Sequence, residues 1–453
     1  ALDESRNIGR EDYMLKQEAQ LYQRRVYLNK LIAFQDTESV KIITGIRRCG
    51  KSSLLKLMIK HLLEQGITHE QIIFVNFESM QFSNMSVREL YEYVKARLPQ
   101  DKKAYLFFDE IQRIEQWQDA INSFRVDFAC DIYVTGSNAY LLSGEYATYL
   151  AGRSVEIKML PLSFAEFIEF QGYSIKEKKD ITGVIRKKIY DNEGDLADAQ
   201  ELLALYMRFG GMPGLADINL NIDNALVLLD GVYSTVVVRD ILERELRKEQ
   251  RQITDSTLLR RLIMFLADNI GNSTSVTSIS NMLVNQKLLE NNTKKNKPAV
   301  QTLQTYISAL LEAYVFYEIK RFDIKGKDYL RTLSKYYIVD IGLRNYLLGF
   351  RDVDTGHIIE NIVYFELLRK GYDVAIGKID DKEIDFIAVN AERKIYIQVT
   401  ESMNDPATRE REFAPLRKVK DNYEKIIIAN EVLNTATQDG IKIVKLIDFL
   451  LAE

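Results

Sequence analysis

Apolar residues along this chain cluster in two alternating ways. Lys41–Ile43, Ile72–Asn76, Tyr105–Asp109, Asp131–Thr135 and Val155–Met159 are short, dense apolar runs of strand length. Between them Ser52–Glu64, Ser86–Leu98 and Trp117–Phe128 repeat their apolar positions with the helical period. Continuous apolar strands separated by amphipathic helices predict a parallel sheet covered on both faces, with a ligand at the C-terminal strand ends. From Ser163 to about Glu249 the pattern reads as helical, over Ser163–Phe170, Glu201–Phe209 and Asn224–Leu246. The breaker cluster Phe209-Gly210-Gly211-Met212-Pro213-Gly214 interrupts it.

Thr254–Asn269, Val276–Gln286 and Ala299–Tyr314 read as three further helices. Phe316–Arg321 and Tyr329–Tyr337 follow, joined around Lys325-Gly326-Lys327 as a glycine-turn hairpin. Three helices and a hairpin predict a winged helix. Its third helix carries Gln301, Gln304, Thr305 and Ser308 on the polar side, which is groove-reading chemistry for double-stranded DNA. Beyond Asp340 the pattern is a helix over Gly356–Gly371, strands over Asp373–Ile379, Glu383–Val389 and Lys394–Val399, a helix near Arg409–Lys420 and a strand at Lys425–Ala429. These readings divide the chain into a polar N-terminal extension (1–23), an α/β core (24–172), a helical lid (173–250), a winged helix (251–338) and a C-terminal α/β domain (339–453).

Chemistry enters at the end of the first strand. Gly45, Gly50, Lys51 and Ser52 fill every fixed position of G-x-x-x-x-G-K-[ST] between a strand and a helix. The glycines permit close phosphate approach, and the backbone N–H groups of Arg47, Arg48, Cys49 and Ser53 join those of the fixed positions in a phosphate-binding nest. Lys51 supplies a charge for the β and γ phosphates, and Ser52 a hydroxyl for Mg²⁺. The apolar run Ala104–Phe108 delivers Asp109 and Glu110 to a strand end, where Asp109 serves Mg²⁺ and Glu110 the attacking water. No N-K-x-D guanine box is present, so ATP is the expected nucleotide. Thr135-Gly136-Ser137-Asn138 ends the next strand, where Ser137 or Asn138 is placed to reach the γ-phosphate or the water, and Arg153 offers a cation for the phosphoryl transition state.

Composition narrows the class further. The 453 residues are 46% hydrophobic and 28% charged with six prolines, which suits several ordered domains and excludes a disordered chain. Two cysteines and three histidines exclude a disulfide framework and make a zinc cluster unexpected. Nothing reads as a membrane span or leader, so a cytoplasmic location is expected. The net charge of −4 gives no global nucleic-acid signal, but Gln286–Lys335 holds ten Lys or Arg against five acids. That excess marks the hairpin as the expected DNA contact.

The texts G-I-R-R-C-G-K-S (45–52), F-F-D-E-I-Q (107–112), T-G-S-N (135–138), L-A-G-R (150–153), P-L-S-F (161–164), G-G-M-P (210–213), Y-Y-I-V-D-I-G-L-R-N (336–345) and G-H-I-I-E-N (356–361) together resemble a prokaryotic ATPase family. In that family an AAA-type core (AAA_14) precedes a winged helix and a DUF4143 domain. The resemblance implies an α/β P-loop fold with a helical lid, a relation to the signal-transducing STAND ATPases, and ATP with Mg²⁺ as cofactors. It makes Pro213 a sensor of the adenine base and Arg153 a γ-phosphate contact. It also implies a restriction-endonuclease-like C-terminal domain whose active-site positions fall on Glu360, Asp385, Gln398 and Thr400. Gln398 and Thr400 replace the usual Glu and Lys, leaving Gln398 a carbonyl oxygen for Mg²⁺ and no catalytic cation, so DNA cleavage is not expected. An ATP-driven switch coupled to DNA or a protein partner is the leading reading. An ATP-gated nuclease and a regulator that binds ATP with little hydrolysis are the alternatives, and a hexameric motor requires Arg153 to act on a neighbour's nucleotide.

Overall fold

The structure is a computed structural model that describes residues 21–137, 139, 152–179, 183, 185–218, 220–243, 253–285, 298–351, 354–433 and 435–452. It divides into two compact units. Of the described residues, the first holds 21–44, 50–136 and 152–158, and the second holds 45–49, Ser137 and the chain from Met159 onward.

The first unit is built on β1 (Val40–Thr44), β2 (Ile72–Asn76), β3 (Ala104–Asp109), β4 (Cys130–Gly136) and β5 (Ser154–Lys158), all parallel in the order β2-β3-β4-β1-β5. Every residue of β1 and β3 is buried, as expected for strands covered on both faces. The helices are α1 (Arg25–Ala33), α2 (Lys51–Glu64), α3 (Val87–Lys95) and α4 (Trp117–Asp127). Ser86 starts α3 with a capping box, its hydroxyl accepting from the Glu89 N–H while the Glu89 carboxylate accepts from the Ser86 N–H. Strand β4 lies between β1 and β3, so its C-terminal end borders the end of β1 and the acids that follow β3.

A buried ion pair pins the same sheet. Lys41 on β1 and Asp131 on β4 are fully enclosed and joined by a short hydrogen bond, and Asp131 also accepts from the Tyr133 hydroxyl (2.8 Å) and the Asp36 N–H (2.9 Å). Burial pulls the Lys41 ammonium below its ordinary pKa, partly offset by the Asp131 charge and hydrogen bond.

The second unit continues with α5 (Phe164–Phe170), a two-stranded antiparallel ribbon of β6 (Ser174–Lys179) and β7 (Ile185–Tyr190), α6 (Ala199–Phe209) and α7 (Ile222–Thr235). A π-helical stretch, Val236–Glu243, extends α7. The ribbon lies where the sequence pattern predicts helix. Its period-two signal rests on Ile175 and Ile189 amid charged residues, too little to outweigh the helical context on either side.

Three helices follow, α8 (Ser256–Asp268), α9 (Val276–Asn285) and α10 (Val300–Glu312), then the hairpin of β8 (Phe316–Asp323) and β9 (Asp328–Ile338). This hairpin is not a free wing. β8 pairs in parallel with β10 (Asp373–Ile379), which makes the hairpin the edge of a seven-stranded sheet. That sheet runs on through β11 (Lys382–Val389), β12 (Lys394–Ser402), β13 (Glu424–Glu431) and β14 (Ile441–Lys445), with α11 (Ile341–Leu348), α12 (Thr355–Arg369), α13 (Pro406–Lys418) and α14 (Leu446–Leu451) as its helices. The division drawn at 338/339 therefore falls inside one hydrogen-bonded layer. None of the described helices is long and apolar enough to cross a membrane.

Because Lys41 and Asp131 exclude water from one another, Lys41→Met should strand a buried carboxylate and lower stability by about 3–5 kcal/mol. Urea unfolding of the two proteins measures this, and an unchanged midpoint contradicts it.

Candidate active site

The acids predicted at the end of β3 are held by one hydroxyl. The Thr135 Oγ1 donates to Asp109 Oδ1 at 2.6 Å and accepts from the Glu110 N–H at 3.0 Å. Sheet register explains the meeting: Phe108 pairs with Val134, so Asp109 and Thr135 are the next residues on adjacent strands. Glu110 adopts a left-handed backbone (φ 57, ψ 47), an uncommon conformation for a non-glycine residue and one that turns the chain sharply after Asp109. Its carboxylate accepts from Gln112 Nε2 at 2.5 Å.

Asp109 is buried, and burial raises its pKa, opposed by hydrogen bonds from Thr135 and Ser52 and by the Lys51 charge. Ser52 and Lys51 open α2, whose N-cap is Gly50 at φ 103. The helix therefore begins with its free N–H groups beside Lys51, the arrangement that favours anions. Paired hydroxyl and carboxylate oxygens are the donor set a hard cation such as Mg²⁺ requires, so Ser52 and Asp109 fit that ion.

The loop residues 45–49 belong to the second unit. A side chain at Gly45 would come within 2.1 Å of the Met159 carbonyl oxygen, and its φ of 143 is also glycine-like. Cys49 is buried with its thiol against the same carbonyl (3.6 Å), a packing role. The Arg47 Nε donates to both oxygens of Asp240 (3.0 and 3.2 Å) in the π-helical stretch, and Arg48, at φ 65, is exposed. The sequence offers no signal for Asp240, 193 residues away. Ser137 is buried, Asn138 lies outside the described residues, and Arg153 is exposed, its carbonyl accepting from the Val40 N–H.

Pro213 begins a short 3-10 turn (Pro213–Asp217) after the Gly-Gly pair, and that pair is clamped. Asp340 Oδ2 accepts from the Gly211 N–H at 2.7 Å and Oδ1 from the Leu343 N–H at 3.2 Å. Gly211 in turn accepts from the Leu162 N–H, and the Tyr206 hydroxyl donates to the Leu162 carbonyl. Asn345 caps the end of α6 through the Met207 and Arg208 carbonyls, and Arg369 reaches the Pro161 carbonyl at 3.0 Å. A side chain at Gly342 would strike the Phe209 carbonyl oxygen at 2.0 Å. Thus P-L-S-F, G-G-M-P and D-I-G-L-R-N, distant in sequence, form one buried polar lattice. Burial pushes the Asp340 carboxyl up to about 6 against three backbone hydrogen bonds.

The nuclease-like positions meet around a residue that the sequence assigns to DNA contact. Glu360 Oε1 accepts from Lys335 Nζ at 3.0 Å and from the Tyr337 hydroxyl, and Lys335 also pairs with Glu383 at 2.7 Å. Burial alone would lower the Lys335 pKa, but Glu360, Asp385 and Glu383 together raise it, so it stays cationic. Gln398 is not available to a metal. Its carbonyl accepts from the Asp385 N–H (2.9 Å) and its amide donates to Glu412 (3.0 Å), while Asp385 Oδ2 accepts from the Val399 N–H. Thr400 is buried against the Ser402 carbonyl. Among the described residues no cluster of three or more acidic, histidine or cysteine side chains could hold a metal ion. Lys325, also counted toward the DNA contact, pairs with Asp380 at 2.5 Å.

An AAA-domain family profile matches residues 37–168, the stretch that carries the glycine loop, Asp109, Glu110 and Thr135. The core is an AAA-type P-loop ATPase domain. A domain of unknown function, DUF8612, matches residues 200–354, in place of the expected DUF4143. An uncharacterised protein of Haemophilus influenzae is 37% identical over 430 residues, covering 94% of this chain and 98% of that one. Another, from Methanocaldococcus jannaschii, is 31% identical over 391 residues, covering 84% and 79% respectively. The chain belongs to the family these two proteins represent. Among solved structures, a Walker-type ATPase of Pyrococcus abyssi is similar at 15% identity and a TM-score of 0.46, over 72% of this chain and 96% of that one.

A carboxyl raised to about 6 in the folded chain favours the protonated form, so its contribution to stability is greatest below the unfolded pKa near 4 and lost by pH 6. The stability difference between wild type and Asp340→Asn should therefore fall as pH rises from 4 to 6, by on the order of 3 kcal/mol. Denaturation at each pH reads it; a flat difference contradicts the assignment.

Proposed function

We propose that this chain is a Mg²⁺-dependent ATP hydrolase that works as a molecular switch. The observation that carries the reading is the Thr135 hydroxyl joining Asp109 to the Glu110 backbone beside Ser52 and Lys51. The N–H groups of residues 45–53 and the Lys51 ammonium bind the phosphates, with Gly45 and Gly50 permitting the approach. Ser52 and Asp109 would hold Mg²⁺, whose charge would serve there to neutralise the transferring phosphoryl group. Glu110 orients the attacking water and accepts its proton. Ser137 and Asn138 are proposed to sense the γ-phosphate, Arg153 to stabilise the transition state, and Pro213 to pack on adenine.

The switch reading rests on the lattice around Asp340. A change at the Gly210–Pro213 turn meets a carboxylate and an α11 N-terminus that begin the C-terminal sheet's helices. The Arg47–Asp240 pair likewise ties the phosphate loop to the π-helical stretch, a distortion often found at working sites. Coupling to duplex DNA is supported by the outward-facing Gln301, Gln304 and Ser308 on α10. An ATP-gated nuclease has little support, because Lys335 neutralises the acids that a catalytic metal would need.

Lys51→Ala should abolish hydrolysis by weakening ATP binding, whereas Glu110→Gln should keep binding and slow hydrolysis about 10²–10⁴-fold. Phosphate release and equilibrium ATP binding separate the two. Wild-type turnover in either variant contradicts the proposal.

A further inference from the structure

The β6–β7 ribbon presents cations on one face only. Antiparallel register pairs Ile175 with Ile189, Glu177 with Lys187 and Lys179 with Ile185 on one side. The other side holds Ser174 opposite Tyr190, Lys176 opposite Lys188 and Lys178 opposite Arg186. Of the three isoleucines on the first side, Ile189 is buried and Ile175 partly so, where β6 lies against α5 and β7 against α14, while Ile185 at the far end is exposed. Lys176, Lys178, Arg186 and Lys188 are all exposed. No acid of either strand shares their face; Asp448 on α14 approaches Arg186 from the side at 4.0 Å.

Like charges directly opposite one another destabilise a two-stranded ribbon. Two such pairs in succession make sense when an external anion neutralises them. Residues two apart on a strand are about 7 Å apart, and facing residues about 5 Å, so the four charges form a compact two-by-two array. We infer that this face of the β6–β7 ribbon is a docking surface for the phosphate backbone of double-stranded DNA. The Ser174 and Tyr190 hydroxyls extend the face with neutral phosphate donors. A two-stranded ribbon also matches the roughly 12 Å width of the B-DNA major groove. The cationic face itself includes no large aliphatic residue to enter a bilayer, which disfavours a membrane.

This surface is separate from α10 and from the β8–β9 hairpin, whose Lys325 and Lys335 are engaged by Asp380, Glu360 and Glu383. It also does not rest on the ATPase reading, so binding is measured without nucleotide. The full chain is titrated onto a fluorescent 20-base-pair DNA duplex by anisotropy between 50 and 200 mM salt. The comparison is with Lys176→Ala/Lys178→Ala/Lys188→Ala, which spares Arg186 and its ion pair, and with Gln301→Ala/Gln304→Ala on α10. The slope of log affinity against log salt should become shallower by about 3 in the triple variant, at about 0.9 per phosphate contact. Its affinity at 50 mM salt should fall at least tenfold, with circular dichroism and ATP turnover unchanged. Three results would overturn the inference: no duplex binding by wild type, an unchanged slope and affinity in the triple variant with loss only in the α10 variant, or equally tight lysine-dependent binding to phosphatidylserine vesicles.

Discussion

One hydroxyl organises the chemistry of this protein. Thr135 sits on β4, the strand between the glycine-loop strand and the acid-bearing strand, and it serves Asp109 as donor and Glu110 as acceptor. Two adjacent carboxylates on one turn would repel and wander. The hydroxyl holds Asp109 by its side chain and Glu110 by its backbone, so the two are fixed in different ways. Burial raises the Asp109 pKa, and its hydrogen bonds from Thr135 and Ser52 together with the Lys51 charge oppose that shift.

In the second unit a buried carboxylate plays the organising part. Asp340 joins the turn before Pro213 to the start of α11, and Asn345, Tyr206 and Arg369 extend the same lattice to α6 and to the Pro161–Leu162 backbone. Such a network has few intermediate arrangements, since each donor lost leaves a buried group unpaired. That discreteness is what a switch requires. Lys335 performs a related task at the edge of the seven-stranded sheet. Its charge binds the β8–β9 hairpin to α12 and β11.

The glycine loop, Asp109, Glu110 and the five strands of the core were legible because local patterns encode them: apolar runs, breakers and fixed motif spacing. Thr135 is marked in the same text only as the polar residue one register step beyond Phe108's partner, ahead of the polar pair Ser137 and Asn138. The Arg47–Asp240 pairing was not legible, because the two lie 193 residues apart; Asp340 stands in the Y-Y-I-V-D-I-G-L-R-N text and caps α11, but its hold on Gly211, 129 residues away, has no local signal. One charge of the basic excess in Gln286–Lys335 lies inside the protein. Charge counts do not distinguish a solvated lysine from Lys335, which is buried among carboxylates. The β6–β7 ribbon escaped because its strand signal is only three isoleucines among charged residues.

The most direct test of the account compares Thr135→Val with Thr135→Ser, measuring ATP affinity and single-turnover phosphate release. The serine variant keeps the hydroxyl and should hydrolyse ATP near the wild-type rate. The valine variant should bind ATP but release phosphate at least tenfold more slowly. Equal rates in valine and wild type would contradict the claim that this hydroxyl assembles the site.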